Sequence, residues 1–176
     1  MDNGSIYTKN LVNFLTKNET KFIDQKFDQV DTSNIGQFDS FILSGRRANN
    51  QKMNAINSQI IKHAVSEKKP LLGICYGAEI LALTLGGTIR KSPKSVKGEE
   101  IIIAEQENKL CQGKINAYES HNYEISQLGN HLQGLASSQS CKYEIIRHVN
   151  HDIFGTQFHP EMSDDGKSII QNFLLV

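Results

Sequence analysis

The sequence has no excess charge of either sign: 19 lysines and arginines stand against 19 aspartates and glutamates. Without a net positive field there is no overall attraction to phosphate backbones or anionic lipid, which argues against a nucleic-acid or membrane-surface protein. Cysteine is scarce. Cys75, Cys111 and Cys141 are too few and too scattered for a disulfide framework, and the odd count leaves at least one free thiol, as suits a reducing cytosol. The opening MDNGSIYTKN has no apolar signal core, and no window approaches the ~20 consecutive apolar residues of a membrane span. Linkers rich in Gly, Pro or Ser, internal repeats and low-complexity tracts are missing. So is any glycine-rich loop of the P-loop type that would cradle a nucleotide's phosphates. These absences leave one cytoplasmic domain over residues 1–176 and point to small molecules or protein partners.

A hydrophobic content of 38% is enough to bury one core at this length. Apolar residues at roughly helical spacing run from Tyr7 to Phe14, and Lys21 to Phe27 alternates as a short strand. Phe38–Leu43 reads as an apolar strand ending at Ser44-Gly45. Helical period returns over Met53–Val65. Pro70–Cys75 is a short, almost wholly apolar run of the kind buried on both faces of a parallel sheet. Gly77–Leu85 is helical, stopped by Gly86-Gly87. Beyond it Thr88–Arg90, Glu99–Glu105, Lys142–Val149 and Ile153–Phe158 read as strands, and Lys167–Leu175 as a closing helix. The expected fold class is α/β: a mainly parallel central sheet flanked by helices and extended by antiparallel strands.

Gly73-Ile74-Cys75-Tyr76-Gly77 sets a cysteine between a buried strand and a helix, with glycines two residues to either side. Small neighbours permit a tight strand-to-helix turn that projects the middle side chain into a cleft, the cysteine counterpart of a nucleophile elbow. Backbone N–H groups and the positive end of the helix would lower the thiol's pKa and could donate to an oxyanion. A buried structural cysteine fits the same spacing. Further on, Phe154–Phe158 runs into His159-Pro160-Glu161. A thiolate nucleophile needs a base to shuttle its proton and an acid to orient that base, and Cys75, His159 and Glu161 supply the three roles. A histidine at such a position also serves as a packed core or surface residue. His63, His131, His148 and His151 stand in no such setting and read as solvated or structural.

Through these residues the chain resembles the class I (triad) glutamine amidotransferases. Leu72-Gly73-Ile74-Cys75-Tyr76-Gly77-Ala78-Glu79, Leu85-Gly86-Gly87 and Gly155-Thr156-Gln157-Phe158-His159-Pro160-Glu161 carry the likeness, which spans essentially the whole chain. Asp2–Thr8 and Ser120–Ile125 are similar to segments of the glutaminase domain or subunit of GMP synthases. The resemblance implies a flavodoxin-like fold and a defined reaction. The Cys75 thiolate would attack the side-chain amide of glutamine. His159, oriented by Glu161, would protonate the departing ammonia, and water would release glutamate from the thioester. Gly45, Arg46, Tyr76, Glu79, His121, Asn122 and Tyr123 fall at substrate-binding positions. No metal and no cofactor are implied in this chain. Ammonia would pass to an ATP-dependent synthetase of GMP synthase type, which turns XMP into GMP and is expected to carry the ATP and Mg²⁺. His121 and Glu124 would lie near the mouth of the site and the synthetase face; a histidine-bearing turn between two strands fits them equally.

Three departures from the family pattern qualify these expectations. Ser44-Gly45-Arg46-Arg47 stands where Ser-Gly-Gly-Pro is usual, so Arg46 takes the place of a glycine whose N–H serves the oxyanion hole; a solvated loop is the plain alternative. Glu79 replaces a glutamine: its carboxylate would pair with the substrate's α-ammonium, yet would also raise the Cys75 pKa. It fits equally an ordinary acidic residue in a helix's first turn. The chain opens at Met1-Asp2-Asn3-Gly4 where a short apolar strand is usual. The expectation is a start lying upstream, and a sheet truly lacking that strand would be of low stability. Two rival functions remain at this stage, a stand-alone γ-glutamyl hydrolase and a catalytically weak regulatory or binding module with the same fold.

Overall fold

The computed structural model describes residues 1–106 and 108–176. Helix α1 (Thr8–Lys17) buries Leu11 and Leu15 on one stripe and turns Lys9, Asn10 and Asn13 to solvent. Strand β1 (Phe41–Leu43) leads to α2 (Gln51–Glu67), which starts where the Asn50 side chain accepts the Met53 N–H at 3.0 Å. Such a cap satisfies a donor that has no partner inside the helix. Strand β2 (Leu71–Ile74) runs directly into α3 (Tyr76–Thr84). Strands β3 (Thr88–Ala104), β4 (Gly113–Gln127), β5 (Leu132–Ser137), β6 (Ile145–His148) and β7 (Ile153–Thr156) follow. Helix α4 (Asp164–Phe173) closes the fold, capped by Ser163 Oγ accepting the Gly166 N–H at 3.2 Å.

The strands form one mixed sheet in the order β1-β2-β7-β6-β5-β3-β4. The β1–β2 and β2–β7 pairings are parallel; the β7–β6, β6–β5, β5–β3 and β3–β4 pairings are antiparallel. The parallel first half and antiparallel extension match the expectation from sequence. Side-chain alternation divides the core into two layers. Leu71 packs with residues of α2 and α3, whereas Leu72 and Ile74 pack with Leu11 and Leu15 of α1 and with Ile169, Ile170 and Phe173 of α4. All three strand residues are fully buried, which at about 1.5–3 kcal/mol for each such side chain anchors β2 in the middle of the molecule. The C-terminal ends of β2 and β7, side by side, are where the chemistry collects.

Several elements differ from the sequence expectations. Lys21–Phe27 is not a strand: residues 21–25 lie outside helices and strands, and Phe27–Gln29 is a 3₁₀ turn. The stretches Thr88–Arg90 and Glu99–Glu105 fall, but for Glu105, within one long β3, which bulges between Lys91 and Val96. β4 and β5 were not anticipated. The reason is visible in β4, whose buried positions are Ile115, Ala117, Glu119, His121, Glu124 and Ile125, so the buried positions carry ionisable groups and the apolar alternation that marks a strand is lost.

At the N-terminus, Met1–Asn3 bridge β1 and residues 25–27. The Met1 ammonium donates to Ile42 O at 2.6 Å and Met1 O accepts from Ser44 N at 3.1 Å. On the other side Asp2 N donates to Gln25 O at 2.7 Å and Asp2 O accepts from Phe27 N at 3.0 Å. Burial lowers the pKa of this ammonium. A cavity of about 270 Å³ opens beside it, with Leu11, Leu15, Phe22, Ile23 and Ile42 among its walls.

Candidate active site

Cys75 joins β2 to α3 at φ +52 and ψ −104, a conformation side-chain-bearing residues rarely adopt. Strain of this kind, of the order of 1–3 kcal/mol, persists only where the surroundings impose it. Here Cys75 N donates to Thr156 O of β7 at 2.7 Å, and Cys75 O accepts from Ala78 N and Glu79 N at 3.0 Å each. The flanking glycines are sterically required: a Cβ on Gly73 would stand 2.4 Å from Gly77 O, and one on Gly77 2.3 Å from Leu43 O. The elbow read from the sequence is thus present, and Cys75 Sγ lies 4.0 Å from Ser120 O of β4.

The end of β7 brings His159 to the same end of the sheet. Its backbone N–H donates to Tyr118 O of β4 at 2.8 Å, and its Nδ1 lies 2.9 Å from Glu161 Oε1. Glu161 as a carboxylate only accepts, so Nδ1 carries the proton and Nε2 is left as the basic nitrogen. His159 and Glu161 are both buried. The imidazole is packed by Tyr7, ring centroids 4.5 Å apart, and by Gly45, where an added Cβ would meet Cε1 at 2.9 Å. Strand β4 therefore backs both Cys75 and His159 through nearby residues.

Above Cys75 lies a cavity of about 490 Å³, within the range of small-molecule sites. Arg46, Tyr76, Glu79, His121, Asn122 and Tyr123, all named from the sequence, line it together with Cys75. Gly45, His159 and Glu161 are not among its lining residues. His121 to Tyr123 belong to β4 rather than to a turn, opposite the bulge of β3. Sequence reasoning missed Asn49, Asn54 and Ser120 of the lining. Asn54 Oδ1 accepts from Tyr76 Oη at 2.7 Å, a contact across some twenty residues of chain that no local pattern announces. Also missed was a buried amide pair, Asn3 and Asn57, which exchange hydrogen bonds of 3.2 and 2.9 Å while Asn3 Nδ2 donates to Ser44 O. It ties the N-terminus to the segment carrying Gly45 and Arg46.

The model of the class-I glutamine amidotransferase family matches residues 1–176. The chain belongs to this family. It is 32% identical over 150 residues to the glutamine-hydrolysing GMP synthase subunit of Picrophilus torridus, covering 82% of this chain and 80% of that one. Over 112 residues it is 36% identical to the corresponding subunit of Ignicoccus hospitalis, covering 61% and 60%. A crystal structure of a candidate GMP synthase subunit from Thermoplasma acidophilum, 28% identical, superposes with a TM-score of 0.85 over 99% of this chain and 89% of that one.

In this glutamine amidotransferase the two unusual residues meet. Arg46 is no solvated loop residue: its guanidinium carbon sits 4.2 Å from the centre of the Tyr76 ring, Nη2 is 3.7 Å from Glu79 Oε2, and Nη1 donates to Asn49 Oδ1 at 2.6 Å. It does not have the positive φ that a glycine would have allowed. Arg47 is exposed. Burial raises the pKa of Glu79, with Arg46 as the main opposing influence. The Cys75 thiol is pushed well up, first by burial and then by Glu79, Glu161 and Glu119, against the Tyr76 backbone N–H alone. This reverses the lowered thiol pKa expected from the helix terminus, because burial and three carboxylates outweigh one turn of peptide dipoles.

Proposed function

We propose that the chain is the glutaminase component of a cytoplasmic, two-chain GMP synthase, with Cys75, His159 and Glu161 as its catalytic triad. One observation carries the reading: a strained cysteine on a strand-to-helix elbow, beside a strand whose end bears a histidine held by a carboxylate 2.9 Å away. Glutamine enters the cavity lined by Arg46, Tyr76, Glu79, His121, Asn122 and Tyr123. Cys75 transfers its proton to His159 and attacks the side-chain amide carbon. The Tyr76 backbone N–H faces the developing oxyanion. His159 returns the proton to the departing nitrogen, ammonia leaves, and water cleaves the thioester to give glutamate. Glu161 keeps the His159 tautomer and stabilises its imidazolium form.

The substrate's head group is zwitterionic, and the site holds a matching pair of charges in Arg46 and Glu79. The α-carboxylate takes Arg46 and the α-ammonium takes Glu79. That ammonium also offsets the carboxylate that holds the thiol protonated, so glutamine itself favours formation of the nucleophile. Ammonia passes to a synthetase chain that activates XMP with ATP and Mg²⁺; this chain uses no cofactor in the reaction.

Treatment with a diazoketone analogue of glutamine tests the chemistry. Expected is one label per chain, located on Cys75 by peptide mass spectrometry. Label on Cys111 or Cys141 with Cys75 untouched defeats the assignment. Glutamate release that rises on adding the cognate synthetase with ATP and XMP supports the two-chain reading, whereas release indifferent to any partner supports a stand-alone γ-glutamyl hydrolase.

A further inference from the structure

Behind the active-site wall, where β3, β4 and the segment entering β6 meet, Glu100, Glu119 and Glu144 bring carboxylate oxygens within 4.8 Å of one another. Glu119 and Glu144 are both 0% exposed. A carboxylate removed from water needs donors, and these have almost none. Ser138 Oγ donates to Glu144 Oε1 at 2.6 Å and the Glu119 and Glu144 carboxyls lie against each other, but Glu144 Oε2 and both oxygens of Glu119 receive no hydrogen bond from any other described residue.

A second feature lies outside the acidic cluster and points into it. The His121 side chain is fully buried, and its Nδ1 is 2.9 Å from the carbonyl oxygen of Tyr123. A carbonyl cannot donate, so Nδ1 bears a hydrogen, and in the neutral imidazole, the form that binds metal, Nε2 presents a lone pair. That Nε2 has no hydrogen-bond partner among the described residues and stands 3.2 Å from Glu119 Oε2, lone pair against carboxylate. Two bare acceptors at this distance repel unless something positive lies between them. Two donors on one cation at about 2.0–2.2 Å, separated by roughly 90–110°, stand about 2.8–3.6 Å apart, which brackets the 3.2 Å found. An imidazole whose other N–H is fixed on a backbone carbonyl is also the usual arrangement of a metal-bound histidine.

We propose that Glu119 and His121, with Glu144 and Glu100 drawn onto the ion by a small shift of their side chains, bind one divalent cation of the Mn²⁺ or Zn²⁺ kind, contrary to the absence of a metal expected from sequence. Mixed carboxylate and imidazole donors suit these ions better than Mg²⁺, which prefers oxygen alone. Glu100 is half-buried and gives the ion its way in, its carboxylate aimed by Ser140, whose N–H and Oγ–H donate at 3.1 and 2.6 Å. The ion braces β4 where it backs the catalytic cavity, since His121 also lines that cavity and the neighbouring Ser120 O faces Cys75.

The test uses the full chain freed of metal by a chelator and titrated with MnCl₂, with bound ion counted by electron paramagnetic resonance. One Mn²⁺ per chain is expected, with spin-echo modulation from one directly coordinated imidazole nitrogen. Glu119→Gln and Glu144→Gln each weaken binding at least about tenfold, whereas His148→Gln leaves it unchanged. No binding at millimolar Mn²⁺ overturns the site and leaves the carboxyls neutralised by protons. Binding without nitrogen modulation, or undiminished in Glu119→Gln, overturns it as well. The nitrogen signature is read on the wild-type chain, so the test survives a variant that fails to fold. It also involves no glutamine chemistry, so its failure leaves the glutaminase reading standing.

Discussion

Cys75 is held in an unfavourable backbone conformation and surrounded by carboxylates, so single substitutions around it have separable effects. Replacing Cys75 by Ala abolishes glutamate release, and His159→Ala lowers it by about 10²–10⁴-fold as expected for loss of a general acid–base. A coupled glutamate assay with and without the synthetase measures both. Glu79→Gln keeps the side chain's shape and removes its charge. The carboxylate raises the thiol pKa, so its removal lowers it. The pH profile of Cys75 alkylation by iodoacetamide, a neutral reagent indifferent to the glutamine pocket, then moves to lower pH. An unmoved profile would show that Cys75 does not feel the charge. The same variant loses preference for glutamine over its analogue without the α-amino group, since that group's partner is gone.

At the scale of elements, the elbow depends on close approach between β1, β2 and α3. Gly77→Ala forces a Cβ to 2.3 Å from Leu43 O, so β1 and α3 must separate. Asn57→Ala removes one half of the buried amide pair and leaves Asn3 Oδ1 without its donor, which costs about 1–3 kcal/mol. Denaturant midpoints check both, with Gly77→Ala expected to lose more. The helices and the β1–β2 pair were legible because their apolar residues are either helically spaced or packed into a short unbroken run. Met53–Ala64 and Leu71–Ile74 are examples of the two. β4 was illegible for the opposite reason: Glu119 and His121 occupy inward positions that a strand pattern assigns to apolar residues. Where local rules fail in this way, the residue responsible has work other than packing.

For the molecule as a whole, pH sensitivity enters through a stack of imidazoles. His148 lies between His131 and His151, ring centroids 6.0 and 4.6 Å apart and nearly parallel. Its pKa is lowered by burial first, then by His151, His131 and Arg147. A group whose folded pKa falls below its unfolded value, about 6.5 for histidine, stabilises the fold above that pH and ceases to do so as pH drops through the folded value. The melting temperature therefore falls on acidification below about pH 6.5, and His148→Gln flattens that dependence in a thermal scan at stepped pH.

What the sequence determined by itself is the nucleophile's setting and the order of helices and parallel strands. Gly73–Gly77 and His159–Glu161 are each local: contiguous residues set the elbow and the imidazole–carboxylate contact through short-range sterics and hydrogen bonding. Tertiary structure alone decided how these pieces meet. Pairing β2 with β7 sets Cys75 beside the strand that ends at His159, and β4, nearly invisible in the sequence, backs both residues. The same packing stacked Arg46 on Tyr76 and set it beside Glu79, turning two separate departures from the family pattern into one pair of opposite charges. It also collected Glu100, Glu119, Glu144 and His121 from distant positions. The sign of the Cys75 pKa shift followed from that convergence, since burial and the summed charge of neighbours depend on distances through space that no spacing along the chain encodes.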